Sequence, residues 1–158
     1  MPPCGCCTTS RCHPGPVAAS TNSPRSSTAN ANGFVTNDVV PADLVTRNRL
    51  LAETALRPWI PSFTHGDLQV AHVFTDGDEI TGVIDWSETS QGDALFDLAA
   101  LTFGHEEHLA DVVTGYGTPV DLDVIRAWWS YRGLKVIRWL LEHGFDPQPE
   151  ISVLSSLP

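Results

Sequence analysis

The run His65-Gly66-Asp67-Leu68-Gln69-Val70-Ala71-His72 is followed, thirteen residues past His72, by Asp85 in Ile84-Asp85-Trp86. One aspartate closes a His-Gly step and the other ends an apolar run. Between them lies Asp76-Gly77-Asp78, flanked by Val70–Thr75 and Ile80–Ile84. Two runs rich in β-branched residues joined by turn chemistry predict a β-hairpin. A hairpin folds its ends together, so Asp67 and Asp85 can approach each other although eighteen residues apart. Two carboxylates in a partly apolar setting repel unless a proton or a cation relieves them. A divalent metal is the usual relief, and one carboxylate as base beside one as metal ligand is the basic equipment of phosphoryl transfer.

The flanking elements must hold that pair in place. Pro41–Leu56 predicts a short helix with Leu44, Leu51 and Ala55 as its apolar positions, stopped by Pro58. Trp59–Phe63 makes an extended approach to the His-Gly-Asp loop. After the hairpin, Ser87–Gly92 reads as a loop carrying Glu88 and Gln91. Asp93 then caps a helix from Ala94 to about Phe103, with Leu95, Leu98, Ala99 and Thr102 on one face. A second short helix covers about Glu106–Thr114 and ends at Gly115-Tyr116-Gly117. Asp121 or Asp123 opens the longest helix, to about Glu142. Its broad apolar face carries Val124, Ile125, Trp128, Trp129, Val136, Ile137, Leu140 and Leu141, and His143-Gly144 stops it. The two tryptophans are expected as core anchors. The fold class is α+β, mainly α-helical.

Composition narrows the partners. The chain has 158 residues and a net charge of −10, with 42% hydrophobic and 18% charged residues, which is enough for one ordinary domain with a core. Such acidity excludes nucleic-acid binding, since phosphate contacts need a basic face. Thirteen acidic residues and no Lys or Arg fall between Pro58 and Ile125. Most of them read as solvated surface; focused in a cleft, the same field would raise the on-rate of a cationic small molecule about 10–1000-fold. Val124–Leu141 is too interrupted by Arg126, Arg132, Lys135 and Arg138 to cross a membrane. No basic start precedes an apolar run, so the cytoplasm is the expected compartment. Residues 1–36 are Pro-, Ser-, Thr- and Ala-rich and read as a disordered tail, with 37–158 as the folded domain. Cys4, Cys6, Cys7 and Cys12, beside His13, lack the separated C-x-x-C pairs of a zinc module and read as incidental thiols.

Taken together, His65-Gly66-Asp67, the polar residue five positions on, the strand leading to Asp85-Trp86, and Gly92-Asp93-x-x-x-Asp97-Leu98-Ala99 resemble the aminoglycoside phosphotransferase family. This family belongs to the kinase-like small-molecule phosphotransferases. The resemblance is close from Thr64 to Ala100 and extends to the helices up to about Phe145. It implies a protein-kinase-like C-terminal lobe with a catalytic loop, one hairpin and packed helices. It also implies ATP-dependent transfer to a hydroxyl of an amino sugar or another small polar, possibly cationic, molecule. On this resemblance Asp67 is the catalytic base and Asp85 holds Mg²⁺ against the nucleotide phosphates. His65 orients the loop, and Asp97 supports it in a structural role.

Two departures stand out. Where the family usually has a metal-binding asparagine, this chain has His72, and imidazole suits Mn²⁺ or Zn²⁺ better than Mg²⁺. His72 then works through a water, alters the metal preference, or marks the loss of a second metal site. The second departure concerns the nucleotide. A kinase of this kind needs a nucleotide-clamping lobe with a phosphate-binding lysine before the loop. The single lysine here, Lys135, comes after it, and no glycine-rich strand-turn-strand precedes Thr64. The N-terminal nucleotide lobe is therefore expected to be missing, through truncation or a mistaken start, leaving a chain weak or inactive alone. The rival readings are a metal-dependent hydrolase with His65, Asp67, His72 and Asp85 as ligands, and a non-catalytic remnant. His105-Glu106-Glu107-His108 does not make a zinc-protease motif, because its histidines are three residues apart rather than four.

Overall fold

A computed structural model describes residues 39–157. The tail read over residues 1–36, with its cysteines, lies outside the described residues.

Helix α1, Ala42–Glu53, starts directly after Pro41, whose fixed φ suits a helix entry, and runs on into a 3-10 turn over Thr54–Leu56. Its buried side is Leu44, Val45 and Asn48, with Ala55 beyond. Leu51 does not join them. Asn48 takes the inward position one turn after Leu44, and its amide donates to the Leu44 carbonyl at 3.0 Å. Helix α2, Ala94–Thr102, begins as expected: the Asp93 carboxylate accepts from the Leu95 N–H at 3.1 Å. All four predicted face residues, Leu95, Leu98, Ala99 and Thr102, are buried.

A 3-10 turn at Glu106–His108 precedes α3, Leu109–Tyr116. Helix α3 passes through Gly115 and ends at Gly117, because Gly117 is the residue that takes the left-handed conformation (φ 71°) closing the helix. Helix α4, Leu122–His143, is capped by Asp121 and closed by Gly144. It is followed by α5, Gln148–Ser156, which the sequence reading did not anticipate. Pro147 and Pro149 mask it as loop, although a proline in the first turn removes no N–H the helix needs. Docking of α5 on α4 depends on Gly133, where a Cβ would come within 2.6 Å of Leu154 Cδ1 and 3.1 Å of Phe103 Cζ.

Helix α4 is the hub, packing against α1, α2 and α5. Trp128 and Trp129 are core anchors with satisfied indoles: Trp129 Nε1 donates to Thr102 Oγ1 at 3.1 Å and Trp128 Nε1 to Asp93 Oδ2 at 3.0 Å. The Arg57 guanidinium also reaches Asp93 Oδ2, at 2.9 Å. One buried carboxylate thus ties the end of α1, the start of α2 and the middle of α4.

Among the described residues four strands form two antiparallel pairs. Strand β1, Ser62–Thr64, pairs with β4, Ser90–Gly92, and β2, Val73–Asp76, with β3, Glu79–Val83. The predicted hairpin exists but is shorter at its start. Val70–His72 is a 3-10 turn rather than strand, closed by the His72 N–H donating to the Gln69 carbonyl at 2.9 Å. The segment expected as loop, Ser87–Gly92, contains a 3-10 turn at Trp86–Glu88 and then β4. Ser-Gln-Gly has little strand preference of its own; its partner imposes the extended form. That pairing sets Ser62, at the start of β1, opposite Gly92, the residue before the Asp93 cap of α2.

Candidate functional site

After Thr64 the chain turns at once through His65-Gly66-Asp67, and three features fix the turn. Gly66 has φ +84° and lies so close to the next segment that a Cβ would stand 2.3 Å from the Glu88 carbonyl oxygen. Only glycine combines that backbone with that approach. Asp97, in the first turn of α2, accepts from two consecutive backbone N–H groups: His65 at 2.7 Å through Oδ2 and Gly66 at 3.0 Å through Oδ1. His65 is buried; its Nε2 donates to the Ile84 carbonyl at 2.9 Å and its Nδ1 accepts from the Asp67 N–H at 3.3 Å. A carbonyl can only accept and an amide N–H only donate, so the ring is assigned as the Nε2–H tautomer. His65 thereby ties the loop to the far end of the hairpin, with Trp86 packed on its ring at 4.6 Å between centroids.

Asp67 is part-exposed and held from two sides. Oδ1 accepts from Arg132 Nη1 at 2.8 Å and Oδ2 from Gln69 Nε2 at 3.0 Å. Arg132 belongs to α4 and its side chain is only 7% exposed, so this ion pair is less screened than a surface pair. Its Nε is buried without a partner among the described residues.

His72 stands between the two aspartates. Its Nδ1 donates to the Asp67 carbonyl at 2.9 Å, leaving the Nε2 lone pair 3.7 Å from Asp85 Oδ2 and 3.2 Å from Gln69 Nε2. The sequence argument that the hairpin brings Asp67 and Asp85 to one place is met: both carboxylates lie within 4 Å of one imidazole. Asp85 itself is half-exposed and has φ 61°, ψ 62°, the left-handed region that non-glycine residues avoid at a cost of about 1–3 kcal/mol. The Ser87 hydroxyl donates to Asp85 Oδ1 at 2.8 Å. That bond is the main reason the Asp85 carboxyl titrates below its ordinary 3.8; His72 and the Ser87 amide add to the effect, and a desolvation contribution opposes it.

One Asp85 oxygen thus stands 3.7 Å from His72 Nε2, whose lone pair also faces the Gln69 amide at 3.2 Å. Among the described residues no group of three His, Cys, Asp or Glu side chains is arranged to hold a metal. A carboxylate oxygen beside an imidazole nitrogen is a donor pair that suits Mn²⁺ better than Mg²⁺. Both nitrogens of His65 are engaged, so the four-ligand hydrolase site is not assembled. Lys135 Nζ lies 3.7 Å from Glu88 Oε2.

Three residues at the site escaped the sequence reading: Arg132, Gln69 and Ser87. Arg132 carried a usable signal. It follows Trp128 by four residues and Trp129 by three, which puts it on their buried face, where an arginine needs an anionic partner. Gln69 and Ser87 offered none, being short-range polar neighbours of the aspartates.

The sequence pattern of the phosphotransferase enzyme family (APH) matches residues 18–139, beginning inside the segment read as a tail. No curated protein matches. Among solved structures, the chain is similar to the GDP complex of wild-type aminoglycoside 2'-phosphotransferase-IIIa, with a TM-score of 0.63 and 17% identity over 80% of this chain and 48% of that one. It is also similar to a thermostable mutant (N202A) of aminoglycoside phosphotransferase APH(4)-Ia in ternary complex with AMP-PNP and hygromycin B. There the TM-score is 0.55 and the identity 22%, over 82% of this chain and 48% of that one. The chain spans about half the length of these structures, and at such identities the likeness is one of fold.

Proposed function

Because the chain belongs to the phosphotransferase enzyme family, we propose that residues 37–158 form a catalytic lobe for ATP-dependent phosphoryl transfer to a hydroxyl of a small molecule. The observation that carries the proposal is the His72 ring, which faces the carboxylate of Asp85 and bonds the backbone of Asp67, itself held by Arg132 and Gln69. Asp67 acts as general base, taking the hydroxyl proton as that oxygen attacks the terminal phosphoryl group and ADP departs. Arg132 and Gln69 bind its two oxygens and so keep the carboxylate aimed. His65 and Asp97 are positioning residues that hold the loop.

Asp85 and His72 would hold Mg²⁺ or Mn²⁺, which when bound neutralises phosphate charge. The imidazole in place of an amide shifts the preference toward Mn²⁺. Activity in this chain alone is expected to be weak or absent, because positioning and electrostatics supply nearly all of phosphoryl-transfer catalysis and Lys135, the only lysine, is paired with Glu88. The expected compartment is the cytoplasm, where ATP is supplied.

The experiment is transfer from radiolabelled ATP to small hydroxyl acceptors, with metal binding followed in parallel. In a restored full-length enzyme, Asp67→Asn should lower transfer about 10²–10⁴-fold or more, and Asp85→Asn should abolish ATP-dependent transfer. Near-normal turnover in either variant sinks the assignment. Metal binding seen only alongside nucleotide supports it; tight binding without nucleotide supports a hydrolase instead.

A further inference from the structure

Three clefts among the described residues can be weighed. One, on the Gly66 side of the loop, has about 210 Å³ and falls below the roughly 300–1,000 Å³ usual for small-molecule sites. Another, of about 470 Å³ between α1 and α4, includes none of the side chains that hold Asp67. The third, about 540 Å³, lies between the turn after Asp67, the end of α2, and helices α4 and α5. Gln69 and Arg132 line it, and these are the two side chains bonded to the oxygens of Asp67. The cleft is therefore one side chain away from the proposed base.

Val70, Leu101, Phe103, Val136 and Val153 form its apolar lining, beside the polar Gln69, His105, Arg132 and Glu150. Its only acidic lining residue is Glu150, and the Arg132 guanidinium stands in the same cleft. None of the thirteen acidic residues between Pro58 and Ile125 lines it. A polycation leaving water would meet one carboxylate and one fixed positive charge, and buried charge without a partner is costly. An apolar body would instead gain about 25 cal/mol for each Å² removed from water.

We propose that this cleft takes the body of the acceptor, and that the acceptor is a predominantly apolar hydroxylated molecule rather than a polycationic amino sugar. The proposal rests on Asp67 as base. Arg132 then joins the two parts of the site, one face on the acceptor cleft and one nitrogen on Asp67.

The test uses the full chain, amide NMR and two probes: 2-(2-naphthyl)ethanol, an apolar body with one hydroxyl, and hygromycin B. The naphthyl probe should move the amides of Val70, Leu101, Val136 and Val153, and hygromycin B should leave them in place. Val153→Trp, which fills the cleft, should weaken the naphthyl probe at least about tenfold. Thermal melting verifies that the variant is folded, and Val153→Phe serves if it is not. Probe shifts elsewhere, unchanged affinity in a folded filled variant, or hygromycin B in the cleft each overturn the proposal. Transfer from ATP is read separately. Transfer to amino sugars with an empty cleft removes the cleft and leaves the kinase; a filled cleft with near-normal transfer by Asp67→Asn in a restored full-length enzyme removes the role of Asp67.

Discussion

Asp67 and Asp85 flank the same imidazole, yet their supports differ. The Asp67 loop is held by α2 through Asp97, by α4 through Arg132, and by the hairpin end through His65, all from residues distant in sequence. Asp85 is bonded through its side chain to its near neighbour Ser87, sits in a left-handed backbone and is 51% exposed. The contrast matches the demands of the two roles proposed for these residues. A base must be aimed to within hydrogen-bond reach of one proton, so its loop is over-determined. A ligand for a hard cation must adjust as phosphate and water complete the shell, so it stays near solvent and is secured locally. The two ends should therefore respond differently to mutation: the Asp67 end through stability, the Asp85 end through titration.

The largest stability effect should come from Gly66→Ala. The new methyl would have to displace the Glu88 carbonyl 2.3 Å away, and alanine disfavours φ +84° by about 1–2 kcal/mol before any clash. With overpacking added, a loss of about 3 kcal/mol or more is expected in denaturant unfolding. A loss below about 1 kcal/mol would show that the β4 side yields and that the loop is not over-determined. Asp97→Ala comes next. It strands two backbone donors, at about 1–3 kcal/mol for each that stays buried, less what water recovers. A total of about 2–4 kcal/mol is expected, with faster amide exchange at His65 and Gly66. Unchanged exchange at those two amides would mean that Asp97 only caps α2.

The same contrast explains what the sequence revealed. Asp85, secured by near neighbours, was placed by local pattern: β-branched runs and a turn are enough to predict the hairpin that leads to it. Gln69 and His72 support Asp67 locally, but its remaining supports are long-range. Asp97 was expected to support the loop by resemblance, but its bonds to two N–H groups thirty residues back were not legible, and Arg132 looked like an interruption in an apolar helix. Helix periodicity found α2 and α4 because their buried faces repeat every three to four residues. It missed α5, where two prolines obscure a nine-residue helix whose burial depends on Gly133 of α4. The three-residue strand β4 exists only through its partner, so no local signal announces it.

The smallest effect should fall at the Asp85 end. Removing the Ser87 hydroxyl by Ser87→Ala takes away the main cause of the lowered Asp85 pKa, so the carboxyl should titrate closer to 3.8, as followed by its side-chain ¹³C shift. The linkage has a definite sign. A carboxyl depressed in the folded state adds stability that is present above its unfolded value and is lost as pH falls through the lower folded value. Wild type should therefore exceed Ser87→Ala in stability at neutral pH, and the gap should close as the pH drops below about 3.8. Because Asp85 is solvent-exposed, the gap is small and should shrink further in high salt. The melting temperature of Gly66→Ala, by contrast, should stay depressed across the same pH range, since backbone strain does not titrate. A Ser87→Ala gap that persists unchanged at pH 2 would mean that Ser87 supports the turn sterically and not through the Asp85 charge.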